Sequence, residues 1–391
     1  MQSRSAAQTY RPERIELIDS LRGYALMGLF LIHMVEYYEL YWANPIPNAV
    51  NSAMFFLFGG KSYAMFGLLF GVSFFILMEN QARRGVDFRA RFVWRLMVLL
   101  AIGYIHSLVY GGDVLTILAV TGLLLVPLYR CGNALLVAIA AFFVLQGPLM
   151  VLQALGFSWD PPVHDTLMNA YAHGSFADVL NVNAVDGQLG KWAFMVNSGR
   201  LWNIAGLSVL GFVLGRIGFF VELDRYRSLH RNLFVGLLVL ATLLLVFKSA
   251  LADAIASPSA GAVLDSYSNI SLMLLTVMAL VQLYRLAPVA RVVRLLAPCG
   301  RMTLTIYVFQ SFLLVPLYYG FGAGAYAWLG QSASAALGVV LWCLQIWLAH
   351  AWFRRFFYGP LEWVWRAATY LRSDVPFRKQ LAINEQMAAR T

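Results

Sequence analysis

The run Ile18-Asp19-Ser20-Leu21-Arg22-Gly23-Tyr24-Ala25-Leu26-Met27-Gly28-Leu29-Phe30-Leu31-Ile32-His33 is apolar for most of its length. It nevertheless carries Arg22 and, eleven residues on, His33. At about 100° per residue that spacing is roughly three turns plus 20°, so both side chains share one helix face about 16 Å apart along the axis. Asp19, Glu36 and Tyr37 fall on the same face. Ionisable groups on a hydrophobic helix are costly unless they face partners or a wet cavity, so this stripe marks a candidate intramembrane site.

The rest of the chain supports a membrane location for that helix. Sixty per cent of the residues are hydrophobic and 12% charged, against nearer half and a quarter in soluble domains. Mean hydropathy is +0.68. Windows long enough to cross a ~30 Å hydrocarbon core recur at 22–41, 63–79, 92–110, 114–129, 134–155, 200–220, 233–253, 268–286, 303–320 and 334–352. The sequence therefore predicts an all-α polytopic membrane protein with about ten transmembrane helices. The polar first 20 residues lack the apolar segment of a cleavable signal peptide.

Charge sets the expected orientation. Arg4, Arg11 and Arg14, then Arg83, Arg84, Arg89, Arg91 and Arg95, and later clusters at Arg216–Arg231, Arg285–Arg301 and Arg354–Arg355 collect on one side. Of 29 Lys and Arg, only Lys61, Lys191, Arg200 and Lys248 fall in the other half. By the positive-inside rule both termini are cytoplasmic. The net charge of +10 then reflects topology and anionic lipid, and nucleic acid is not an expected partner. Cys131, Cys299 and Cys343 have no paired spacing, and no HExxH or CxxC pattern is present, so neither a disulfide framework nor a metal site is expected.

Three regions follow from this reading: a cytoplasmic segment 1–20, a membrane domain 21–355, and a cytoplasmic interfacial helix and tail 356–391. Within the membrane domain, the external loop 157–198 carries Trp159, His164, His173, Asp178 and Trp192. Short helices at Val163–Tyr171 and Phe176–Val185, broken at Gly174 and Gly187, suit it. After Pro360, Leu361, Val364, Trp365 and Ala368 form an apolar stripe, with Glu362 and Arg366 an expected i,i+4 pair. Gly67-x-x-x-Gly71 and Gly211-x-x-x-Gly215 offer close helix contacts.

Several residues could do chemistry. His33 can take a proton from an acceptor as it attacks a carbonyl. Arg22 can bind a donor phosphate or pair with Asp19. His106 and Asp113 flank a Gly111-Gly112 turn, where Asp113 either orients a histidine or an acceptor or caps the next helix. Thr303, Tyr307, Gln310 and Ser311 make a polar face that either lines a cavity or bonds other helices. Lys61 and Ser62 precede the second span as weaker candidates of the same kind.

Together, Ile18-Asp19-Ser20-Leu21-Arg22-Gly23, Phe70-Gly71, His106 with Gly112-Asp113-Val114-Leu115, Gly174-Ser175-Phe176, Gly300-Arg301-Met302-Thr303-Leu304-Thr305, Gln310-Ser311 and Gly359-Pro360-Leu361-Glu362-Trp363 resemble the YeiB-like family of bacterial membrane proteins. That family is similar to the transmembrane acyltransferases that include heparan-glucosaminide acetyltransferase and the acyltransferase-3 enzymes. Arg22 and His33 match the Arg-to-His spacing of the acyltransferase-3 enzymes, whereas YeiB-like proteins usually have Asn in place of His33.

The resemblance implies transfer of an acetyl or short acyl group from cytoplasmic acyl-CoA to an extracytoplasmic or membrane-embedded acceptor. His33 is then the general base, with His106 the alternative, and Asp113 or Glu36 orients it or the acceptor. Arg22, Arg95 and Lys61 bind the donor, while His106, Tyr307, Gln310 and Ser311 line the acceptor cavity. Expected partners are membrane lipid, acyl-CoA and an acceptor, with a homodimer as a further expectation. The competing classes are a proton-coupled transporter or exporter and a non-catalytic member of an envelope assembly.

Overall fold

The computed structural model describes residues 15–46, 48–255 and 260–379. Arg4, Arg11 and Arg14, and the tail past 379, lie outside them. Among the described residues the chain is helical, with one isolated bridge between Phe356 and Arg378.

Helix α1, Glu16–Val35, is the buried axis of the bundle. It lies six residues earlier than the hydropathy window, because Leu17, Ile18 and Leu21 pack into the core at 2% exposure or less. Its end is set by Tyr37, Tyr38 and Glu39, all left-handed at φ 50°, 52° and 85°. Three consecutive non-glycine residues in that region cost about 1–3 kcal/mol each. The turn is held by Tyr38 N donating to His33 O at 2.9 Å and Tyr41 N to Glu36 O at 2.9 Å. Tyr319 adds its hydroxyl to Tyr38 O at 3.0 Å. His33 consequently lies in the last turn of α1 rather than midway along a span.

After α2, Ala49–Leu57, the chain returns through α3, Ser62–Ala82, and rises again in α4, Arg89–Val109. A Gly-Gly turn leads into α5, Leu115–Leu123, and the short α6, Leu125–Leu128. Helices α7, Asn133–Val144, and α8, Gly147–Ala154, form a pair bent by 53°. The break is at Gln146, itself at φ 62°.

The external segment holds three helices, α9 His164–His173, α10 Phe176–Ala184 and α11 Asp186–Asn197. The second break therefore comes at Val185, two residues before the expected Gly187, which lies inside α11. Helix α10 starts with a reciprocal capping box: Ser175 N donates to Asp178 Oδ2 at 2.8 Å, and Asp178 N donates to Ser175 Oγ at 3.2 Å. The Ser175 hydroxyl, which also donates to Asp178 Oδ2 at 2.7 Å, and the Ser175 N–H hold the Asp178 carboxyl below its ordinary pKa.

Helix α12, Arg200–Arg216, packs tightly on α3, and the two small-residue motifs explain how. A Cβ at Gly71 would overlap the Ser208 carbonyl, and one at Gly211 would overlap the Leu68 carbonyl. Each motif faces the other, so the close contact is within the chain.

The remaining helices are α13 Arg227–Ile255, α14 Ala260–Leu283, α15 Ala287–Arg294, α16 Ala297–Arg301, α17 Thr303–Tyr318, α18 Gln331–Arg355 and α19 Pro360–Tyr370. Helix α16 is pressed on α1, since a side chain at Gly23 would strike Leu296 O and one at Gly300 would strike Asp19 O.

Each of the ten windows coincides with a helix or a helix pair. Six helices are long and apolar enough to cross a membrane, seven if the bent α7–α8 pair is one span. Leu115–Leu128 and Thr303–Tyr318 are shorter apolar helices. Helix length alone thus supports a multi-pass helical membrane protein with fewer unbroken spans than ten.

Helix α19 departs from expectation in one respect. Glu362 does not pair with Arg366; it caps α17, accepting from Leu304 N at 2.7 Å, Thr305 N at 3.1 Å and the Thr305 hydroxyl at 2.5 Å. Unsatisfied N–H groups at a helix start draw a carboxylate more strongly than an exposed i,i+4 partner does. Arg366 instead stacks on Tyr358 and Tyr370.

Candidate active site

His33 is brought by the last turn of α1 against Tyr110, the residue that ends α4. Its Nδ1 is 2.7 Å from the Tyr110 hydroxyl, which donates to Glu39 Oε1 at 2.9 Å. A hydroxyl has one proton to give. With that proton on Glu39, Tyr110 accepts from His33 Nδ1–H, and the lone pair of the imidazole is on Nε2. Nε2 is buried and has no protein partner. Glu36, at the C-cap of α1, brings Oε2 to 4.0 Å from His33 Nδ1 and accepts from Trp42 Nε1 at 3.0 Å.

His106 and Asp113 form a second buried pair, with Nδ1 to Oδ1 at 2.9 Å. Asp113 also accepts from Leu115 N at 3.2 Å and Thr116 N at 2.9 Å. The two readings open in the sequence therefore hold together: this carboxylate caps α5 and orients a histidine. Tyr307 accepts from Val114 N at 3.1 Å. Its ring lies between the histidines, 5.0 Å from His106 and 6.5 Å from His33.

Two cavities flank this cluster. The near one, on the side where α1 begins, holds about 340 Å³ and is lined by Arg22, Ser73, Arg95, Arg301, Glu362 and Tyr307 around an apolar wall. The far one holds about 620 Å³, with His33, Glu36, Glu39, Asp113, Lys191 and Arg200 among its lining residues. Leu29 and Val114 line both.

Arg22 and Arg95 are brought together as expected. Arg22 donates to Asp19 at 2.9 Å and to the Ser73 hydroxyl, while Arg95 stacks 3.5 Å over the Trp365 ring. Lys61 is elsewhere: it donates to Phe55 O, Gly59 O and Asn269 Oδ1 at 3.2, 2.8 and 3.0 Å and lines neither cavity. Gln310 turns to α18 and donates to Gln345 at 2.6 Å. Ser311 is buried beside it, and neither lines a cavity. His106, 1% exposed, is likewise absent from both walls, so of the two histidines of this cluster His33 is the one that lines a cavity, the far one, whose wall also carries His164 from α9.

Glu39 and Tyr110 join the site without a sequence signal of their own; Lys191, Arg200 and Arg301 stand out in the charge pattern or in a motif, neither of which assigns them a site role. Tyr110 and Glu39 meet only because the left-handed turn folds residues 37–39 back over α1. That turn also places ligand atoms of His33, Glu36 and Glu39 within 4.8 Å of one another, a grouping that no short metal motif announces.

Residues 14–164 match the model for the catalytic domain of heparan-α-glucosaminide N-acetyltransferase. Residues 214–372 match a model described as a protein of unknown function, DUF418. The chain is 27% identical over 406 residues to the uncharacterized protein YxaH of Bacillus subtilis, covering 94% of this chain and 97% of that one. An uncharacterized 39.9 kDa protein of Bacillus acidopullulyticus is 26% identical, with 92% and 95% covered. The uncharacterized protein YeiB of Escherichia coli is 25% identical, with 93% and 98% covered.

Fold and site thus define a multi-pass helical membrane protein of a transferase-like kind. The two family matches and the near full-length similarity to YxaH and YeiB support a YeiB-like family related to heparan-α-glucosaminide N-acetyltransferase.

Proposed function

We propose that this chain is a transmembrane acyltransferase that takes an acetyl or short acyl group from acyl-CoA in the near cavity and gives it to an acceptor in the far one. The observation that carries this reading is a pair of cavities separated by a wall they share at Leu29 and Val114, with Tyr307 lining one and His33 the other. With both chain ends and the arginine-rich near face cytoplasmic, as the positive-inside pattern argues, the donor enters from the cytoplasm. The near cavity suits an acyl-pantetheine arm. Its wall is mainly leucine and phenylalanine, and Arg22, Arg95 and Arg301 supply cations for phosphates at its mouth.

Transfer would then proceed in one displacement. The acceptor's hydroxyl or amine attacks the thioester carbonyl while His33 Nε2 takes its proton. The carbon–sulfur bond breaks, and CoA leaves as the thiolate. Glu39, through Tyr110, holds His33 in the tautomer whose Nε2 can accept.

Acetyl-CoA binding to purified protein tests the donor half. Saturable binding by calorimetry that weakens about tenfold or more in Arg22→Ala, the size of a lost charge-assisted contact, is the expected outcome. Transfer of labelled acetyl groups into a membrane extract by reconstituted protein, abolished by His33→Ala with donor binding kept, tests the rest. Absence of any acyl-CoA binding together with solute flux through proteoliposomes would replace this reading with a transporter.

A further inference from the structure

We infer that the far cavity contains a binding subsite for an anionic group, a phosphate, sulfate or carboxylate, centred on Arg200 with Lys191 as second cation. Calling that group part of the acceptor rests on the acyltransfer reading; the subsite itself does not.

Arg200 opens α12, and its guanidinium is stacked 4.5 Å from the Phe194 ring centroid and 5.2 Å from that of Tyr63. Among the described residues it donates to no acceptor. Two other partly buried arginines of this chain do donate to protein, although Arg285 keeps a buried Nε without a partner among the described residues. Arg216 donates to Cys131 O, Asn133 Oδ1 and Tyr129 O at 2.7–2.8 Å, and Arg285 donates to Leu223 O at 2.6 Å. Lys191 repeats the contrast: its Nζ is buried with no partner, whereas Lys61 has three acceptors. Both unsatisfied cations line the same cavity as His33.

The acids of that cavity do not serve as their counterions by contact. Glu36 takes the Trp42 N–H, Glu39 takes the Tyr110 hydroxyl, and Asp113 takes His106 and two backbone N–H groups. Arg200's charge acts on Glu36 and Glu39 through space, and Lys191's acts on Asp113. No ion pair joins either cation to them among the described residues. Those three carboxylates thus have donors of their own; Asp160, the exposed fourth acid of the wall, makes no ion pair with either cation among the described residues, and the cations lack acceptors. A cation withdrawn from water without an acceptor is costly, and a guanidinium fixed by stacking offers its edge as a two-pronged match for an oxyanion.

Such an anion could reach the cavity as a soluble ester or as a lipid headgroup. Calorimetry on the full-length protein in detergent, with inorganic phosphate and separately with dihexanoyl phosphatidic acid, distinguishes them. An Arg22→Gln background weakens the near cavity as a competing phosphate site. Saturable binding of inorganic phosphate that survives Arg22→Gln, falls about tenfold or more on adding Arg200→Gln and falls less with Lys191→Gln establishes the subsite for soluble anions. The same pattern for phosphatidic acid alone establishes it for a headgroup. No binding of either probe to Arg22→Gln, or unchanged affinity in both Arg200→Gln and Lys191→Gln, overturns the proposal. None of these readings depends on acyl transfer, so either idea can fail alone.

Discussion

The Tyr110 hydroxyl is 2.7 Å from His33 Nδ1 and 2.9 Å from Glu39 Oε1, so a single hydroxyl group couples an imidazole to a carboxylate across the end of α1. The base in this site is defined by its neighbours: Nε2 is usable because Nδ1 is spoken for.

Tyr110→Phe removes the coupling and keeps the ring. Transfer should fall about tenfold to a hundredfold, part of the 10²–10⁴ that a general base supplies, with acyl-CoA affinity unchanged. Steady-state kinetics on reconstituted protein separate the two. A variant whose turnover matches the parent would show that His33 needs no such orientation.

Asp113 is expected to matter for stability as well as geometry. Asp113→Ala loses the cap on α5, worth about 1 kcal/mol, and strands a buried His106 nitrogen, worth about 1–3 kcal/mol more. The melting temperature in detergent should drop clearly. Because His106 lines neither cavity, His106→Asn should disturb turnover less than His33→Asn does, and the reverse order would exchange their roles.

How much of this was legible beforehand follows from physics. Hydropathy located every membrane helix because burial in lipid or in the bundle demands apolar residues in either case. It could not place helix ends: nothing in Tyr37-Tyr38-Glu39 advertises a left-handed turn, since no glycine is present. Arg22, Arg95, His33 and Tyr307 were readable as charges or hydroxyls in apolar segments, where their cost requires a reason. Lys61 and Gln310 looked equivalent by that rule, yet packing satisfied them with Asn269 and Gln345. Glu39 and Tyr110 are 71 residues apart and carry no shared pattern, so only the fold could introduce them.

The glycine contact between α3 and α12 gives a test independent of function. Gly71→Ala drives a methyl into the Ser208 carbonyl, and overpacking of this kind costs about 1–3 kcal/mol. Gly236→Ala, where a Cβ meets nothing within 4 Å in α13, serves as the control and should be neutral or slightly stabilising through helix propensity. Equal melting temperatures for the two variants would mean that α3 and α12 are not pressed together as described.

The cluster of His33, Glu36 and Glu39 makes a chelation experiment informative. Their ligand atoms lie within 4.8 Å of one another, His33 Nδ1 and Glu36 Oε2 being 4.0 Å apart against the roughly 3.4 Å between ligands around a zinc ion at about 2.1 Å, and Glu39 and Glu36 are already engaged by Tyr110 and Trp42. A base held by hydrogen bonds works without metal, so dialysis against EDTA should leave acetyl transfer unchanged. Added Zn²⁺ should inhibit, because drawing the three side chains together occupies the imidazole that must accept the proton. Activity lost on chelation and restored by Zn²⁺ would instead make these residues a metal centre, with Tyr110 as a support for its ligands.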